Sequence, residues 1–80
     1  MEVNFIAFGI AKDILRQQHM SIELPEGSSL SDAKRHLETE FPEFSKLSSL
    51  RLAVGEEYRE DSYELTAGEE VVIIPPVSGG

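Results

Sequence analysis

The sequence predicts an α+β fold, a mixed sheet with one main amphipathic helix packed on one face. Three observations predict it. One stretch, residues 30–41, carries apolar residues at helical spacing. Several short stretches alternate apolar and polar residues with period two. The first and last of these hold large apolar residues on both parities, which suits strands at the centre of a sheet or under a partner. Eighty residues, 40% apolar and 28% charged, make one ordinary globular domain with too little core to wrap a deep pocket around a substrate and a cofactor together.

The elements follow in order. Val3, Phe5 and Ala7 alternate with Asn4, Ile6 and Phe8, which predicts a strand over 2–8. Gly9 to Gln18 reads as helical or irregular. Met20, Ile22 and Leu24 alternate with Ser21 and Glu23, a second strand with one wet face. Pro25-Glu26-Gly27 turns the chain. Ser29 is a good N-cap, and Asp32 three residues later imitates a capping box. Leu30, Ala33, Leu37 and Phe41 then share a helical face, and Pro42, which lacks an N–H, stops the helix. Leu50, Leu52 and Val54 predict a third strand ending at Gly55, and Glu56 to Asp61 a short polar edge strand. Leu65 to Glu69 turns into Val71-Val72-Ile73-Ile74, the last strand. With the first and last strands side by side at the centre, this order is a β-grasp arrangement.

Composition narrows the function. The absence of cysteine removes disulfides, thiolate nucleophiles and sulfur-ligated metal sites. MEVNFIAFGI has no basic stretch ahead of its apolar residues, unlike a signal peptide, and no apolar run is long enough to span a bilayer. A cytoplasmic protein with no membrane partner is expected. Fifteen acidic against seven basic residues give a net charge of −8, which disfavours nucleic-acid binding. A basic partner surface would attract such a chain, although acidity serves solubility as well. His19 and His36 fall on different elements, and the Glu56-Glu57 and Glu60-Asp61 pairs lack calcium-loop spacing, so no metal site and no bound cofactor are expected. Ser28, Ser29 and Ser31 read as helix initiation rather than as nucleophiles.

After Ile74 the character changes abruptly. Residues 1–74 are expected to form the domain, and Pro75, Pro76, Val77, Ser78, Gly79 and Gly80 an extended tail. Two prolines fix φ and cannot join a sheet ladder, so they make a stiff exit from the strand. The four residues beyond them reach at most about 13 Å at ~3.3 Å per residue. Two glycines without side chains can thread a channel too narrow for a Cβ and bring a terminal carboxylate close to catalytic groups. The competing readings are a frayed end or a cloning remnant.

The tail VVIIPPVSGG, preceded by Gly68-Glu69-Glu70, resembles the C-terminus of the small subunit of molybdopterin synthase, a family of ubiquitin-like sulfur carriers. Phe8-Gly9-Ile10-Ala11-Lys12 resembles that family's first strand and following turn, and Leu52-Ala53-Val54 its central strand. The family usually carries Asn where this chain has Gly55, and glycine also suits a turn.

The resemblance implies a non-catalytic, sulfur-donating role in a heteromer. An E1-like activating enzyme would adenylate the Gly80 carboxylate using ATP and magnesium, and a sulfur donor would displace AMP to leave a thiocarboxylate. Residues 75–79 would insert into the large subunit of molybdopterin synthase. That subunit would supply the acid–base groups for transfer to a cyclic pterin phosphate in molybdenum cofactor biosynthesis. Phe8, Ile74 and Tyr58 would lie in the subunit interface, with Ile6 a further outward candidate beside Ile74. Simple packing under the following loop competes for Phe8, and an ordinary half-exposed strand position for Tyr58. Sulfur carriage for thiamine thiazole or another thiolation pathway, a ubiquitin-like protein modifier, and an interaction module with an idle tail are the alternatives.

Overall fold

Period-two patterning becomes a five-stranded mixed sheet in the computed structural model, which describes residues 1–46 and 50–74. The strands are β1 (Glu2–Ala7), β2 (His19–Glu23), β3 (Arg51–Val54), β4 (Glu57–Tyr58) and β5 (Glu70–Ile74). Their order across the sheet is β2-β1-β5-β3-β4, so β5 is central and β1 lies beside it. β1 and β5 run parallel, with Phe5 opposite Val71 and Ala7 opposite Ile73; the other neighbours are antiparallel. The first and last strands thus sit side by side, as their two-sided apolar character predicts.

One parity of β1, β2, β3 and β5 feeds a single core, while both residues of β4 are exposed. Val3, Phe5, Ala7, Ile22, Leu52, Val54, Val71 and Ile73 are buried together with Leu30, Ala33 and Leu37 of α2 (Leu30–Glu40). The helix begins where the sequence predicts. The Ser29 hydroxyl accepts from the Asp32 N–H at 3.3 Å, and the Asp32 carboxylate accepts from the Ser29 N–H at 2.9 Å. Aspartate therefore closes a capping box usually completed by glutamate. Its carboxyl is held below the ordinary aspartate range by that backbone N–H first, with the Ser29 hydroxyl and Arg35 adding to it against the opposing effect of burial.

The main helix is accompanied by a shorter one in the stretch read as helical or irregular. Residues 9–15 form a second helix, α1 (Gly9–Leu15), which buries Ala11 and Leu15 at i, i+4 spacing. It ends at Arg16, whose left-handed φ of 62° lets its N–H donate to the Lys12 carbonyl at 2.8 Å. A 3-10 turn, Pro42–Lys46, follows α2 and buries Phe44, whose ring meets Phe41 edge-on at 6.3 Å. Both elements are too short for periodicity to announce them.

β3 and β4 are joined through Gly55 and Glu56, with φ of +62° and +66°. Two successive left-handed residues make the type I′ turn that matches strand twist. Asparagine and glycine both tolerate that conformation, so Gly55 keeps the turn.

Candidate functional site

The second parity of the same strands faces away from the helices. On β1 this side holds Asn4 and Ile6, on β5 Val72 and Ile74, on β3 Arg51 and Ala53, and on β4 Tyr58. Register turns these separate residues into one surface. Ile6 stands opposite Val72, Val72 opposite Ala53, and Ala53 opposite Tyr58, an apolar row across four strands. Ile6, Val72 and Ile74 are half-buried. Ala53 is 8% exposed yet lies outside the core cluster, as expected of a small residue in the floor of this second face.

The three expected interface residues belong to this region. Ile74 ends β5 opposite Arg51. Phe8 follows Ala7, whose partner is Ile73, so it reaches the same end of the sheet as Ile74. It is 49% exposed, which removes the reading of Phe8 as ordinary packing under a loop. Tyr58 is 58% exposed, and the Arg51 guanidinium lies 5.2 Å from its ring centroid. Ile10 of α1, two residues after Phe8, is 47% exposed. Pattern reading missed Val72, Ala53 and Ile10. The apolar character of Val72 beside Val71 was a signal for the first; nothing in the pattern marked the other two.

The start of β5 is fastened by the acidic turn. Gly68, at φ +78°, donates its N–H to the Glu2 carbonyl at 2.7 Å. The Glu69 carboxylate accepts from the Tyr63 hydroxyl at 2.6 Å and from the Thr66 N–H at 2.9 Å. Burial pushes the Glu69 carboxyl up, but these donors and the nearby Arg59 outweigh it and hold it below the usual range. The Tyr63 hydroxyl is raised, chiefly because ionising it would lose the bond to Glu69. The Glu69 carbonyl accepts from the Asn4 N–H at 2.9 Å, which fixes β5 against β1.

Pro75, Pro76, Val77, Ser78, Gly79 and Gly80 lie outside the described residues. Among the described residues no three His, Asp or Glu side chains come together to hold a metal ion, and no helix is long and apolar enough to cross a membrane. His19 is exposed on β2 and His36 half-buried on α2. Ser28 is buried and donates to the Pro25 carbonyl at 2.6 Å, a turn-closing role.

The same architecture recurs in proteins of known structure. A candidate molybdopterin converting factor subunit 1 from Pyrococcus furiosus superposes with a TM-score of 0.88 at 23% identity, over 96% of this chain and 99% of its own. The small archaeal modifier protein 1 of H. volcanii gives 0.82 at 15% identity, over 95% and 98%. One chain of the complex of subunits 1 and 2 of molybdopterin-converting factor from Helicobacter pylori 26695 gives 0.69 at 21% identity, over 100% of this chain and 100% of its own. These likenesses establish the ubiquitin-like β-grasp fold. The ThiS family model matches residues 6–80, from near the end of β1 through the Gly-Gly tail, and the chain therefore belongs to the ThiS family.

Proposed function

We propose that the chain is the sulfur-carrying small subunit of molybdopterin synthase, with Gly80 as the carrier's terminal residue. The observation that carries this reading is the continuity of the central strand with the tail: β5 ends at Ile74 on an uncovered sheet face, and Pro75-Pro76-Val77-Ser78-Gly79-Gly80 follows at once. A carboxylate is a poor electrophile. An activating enzyme therefore joins the Gly80 carboxylate to AMP, with magnesium-bound ATP losing pyrophosphate. Sulfur at the level of hydrosulfide attacks the acyl carbon, AMP leaves, and a thiocarboxylate remains.

Docked on the large subunit through Phe8, Ile74 and Tyr58, the carrier threads residues 75–79 into that subunit's active site. Sulfur passes to the cyclic pterin phosphate, and water takes its place on the acyl carbon, returning the carboxylate. The chain itself supplies no acid or base. It donates an atom and a surface.

The test is intact mass before and after incubation with the activating enzyme, ATP and a sulfur source. Exchange of one oxygen for sulfur, absent from a chain lacking Gly80, is expected. Gly80→Ala, or one residue added after Gly80, is expected to abolish sulfur transfer with circular dichroism unchanged, because the tail lies beyond the core strands. Loaded carrier that yields no dithiolene with the large subunit and pterin precursor would assign it to thiazole synthesis or another thiolation pathway.

A second reading has one observation in its favour, the likeness to the H. volcanii small archaeal modifier protein 1. As a modifier, the chain would form lysine isopeptides that survive denaturant and reductant.

A further inference from the structure

The open face gathers its carboxylates at one end. Beyond Asn4, away from the tail, Glu2 on β1 stands directly opposite Glu23 on β2. Glu70 on β5 stands opposite Asn4. All three alternate with buried residues and are exposed on the face that carries Ile6 and Val72. Like charges directly opposite destabilise a strand pair. The arginine and lysine ion pairs among the described residues go elsewhere, from Lys34 to Asp61, Arg35 to Asp32 and Arg59 to Glu57. Among the described residues, only Glu23 of the three carboxylates has a cation near, the Met1 amine at 3.5 Å. At the opposite end, beside Ile74, the face carries Arg51.

Edge protection accounts for Glu23, since β2 is an edge strand. It does not account for Glu2 and Glu70, because β1 and β5 are each paired on both sides. An apolar row bounded by carboxylates at one end and by Phe8, Ile74 and Arg51 at the other has the make-up of a docking surface with a polar rim. Such a row alone could be approached either way round, and only one way delivers the tail.

We propose that Glu2, Glu23 and Glu70 orient the carrier on its partner by meeting a cluster of lysine and arginine side chains. That cluster lies about 13 Å, four strand residues, from the point where the tail leaves β5. The proposal rests on the reading of the chain as a docking carrier and specifies the chemistry of the surface that receives it. A second copy of this chain is a poor occupant, since each copy carries −8 and sets one arginine on this face against three carboxylates.

The test is the rate of association of the full chain with the large subunit of molybdopterin synthase, by stopped flow at low and high salt. Glu2→Gln/Glu23→Gln/Glu70→Gln is compared with Glu38→Gln/Glu40→Gln/Glu43→Gln, which removes the same charge from the helix side. The first triple is expected to slow association about tenfold at low salt and flatten its salt dependence, and the second less than about twofold. Both should melt no lower than the unaltered chain.

Equal slowing by both triples, or none by the first, would overturn the orienting role while leaving the carrier reading intact. An unaltered, thiocarboxylated chain that fails to bind the large subunit would instead overturn the molybdopterin reading and this proposal with it. Self-association through this face, abolished by the first triple, would also overturn it.

Discussion

The two faces of one sheet are built from alternate residues of the same strands, yet they serve different equilibria. On the helix side Val3, Phe5, Ala7, Val71 and Ile73 are at most 1% exposed, and their apolar area is spent on folding. One residue along each strand, Ile6, Val72 and Ile74 are only half-buried, and Phe8 and Tyr58 stand out in water. Fully burying such a side chain is worth roughly 1.5–3 kcal/mol, so the second face retains a reserve that association can use. The closed side is apolar throughout, whereas the open side sets Ile6, Val72 and Ile74 among Asn4, Arg51 and three glutamates, and the described helices cover only the closed side.

The largest effect that would sharpen this contrast is on the closed face. Phe5→Ala should cost about 3–5 kcal/mol in urea unfolding, because no neighbour can collapse fully into the space. A loss under about 1 kcal/mol would mean the closed face is not the folding core. On the open face the expectation inverts. Phe8→Ala should leave unfolding within about 0.5 kcal/mol while weakening binding to the large subunit about tenfold, close to 1.4 kcal/mol. If Phe8→Ala unfolded the domain and spared binding, the contrast would fail.

Ser29→Ala removes the cap of the helix that covers the closed face and should cost about 1 kcal/mol with no change in partner affinity. The smallest effect is in pH. The Asp32 carboxyl is held below its ordinary range by the Ser29 N–H, with the Ser29 hydroxyl and Arg35 adding to it. A depressed folded-state value means this stabilisation is present above the unfolded-state value and is lost as pH falls through the folded one. The stability difference between the unaltered chain and Asp32→Asn should therefore be visible near neutral pH and vanish in acid. A difference that persisted in acid would show that ionisation of Asp32 is not its source.

Much of the fold was legible because its signals are local. The 30–41 stripe, the Ser29–Asp32 cap and the Pro42 stop gave α2 to within a residue. Alternation gave β1, β2 and β3, a polar stretch over 56–61 gave β4, which the structure confines to Glu57–Tyr58, and a run apolar on both faces gave β5. α1 was legible only as a helical or irregular stretch: seven residues with two buried positions are less than two full turns of stripe. The 3-10 turn after Pro42 follows a proline that pattern reading takes only as a stop. The candidate site divides likewise. Phe8, Ile74 and the tail were named from motif, and Ile6 from parity, whereas Val72 and Ala53 join the surface only once β5 lies between β1 and β3.

The sequence by itself determined which residues pair apolar with polar, where α2 begins and ends, and that a stiff Pro-Pro spacer and two glycines follow a strand apolar on both faces. These follow from side-chain chemistry and from backbone restrictions reaching no further than a few neighbours. Only the tertiary structure decided which face of each strand the helices cover. It also decided that Ile6, Val72, Ala53 and Tyr58 form one row, and that Glu2, Glu23 and Glu70 share one end of it. Those juxtapositions join residues more than about sixty positions apart, as Ile6 on β1 and Val72 on β5 are, and they exist only through the hydrogen-bonded register of the sheet.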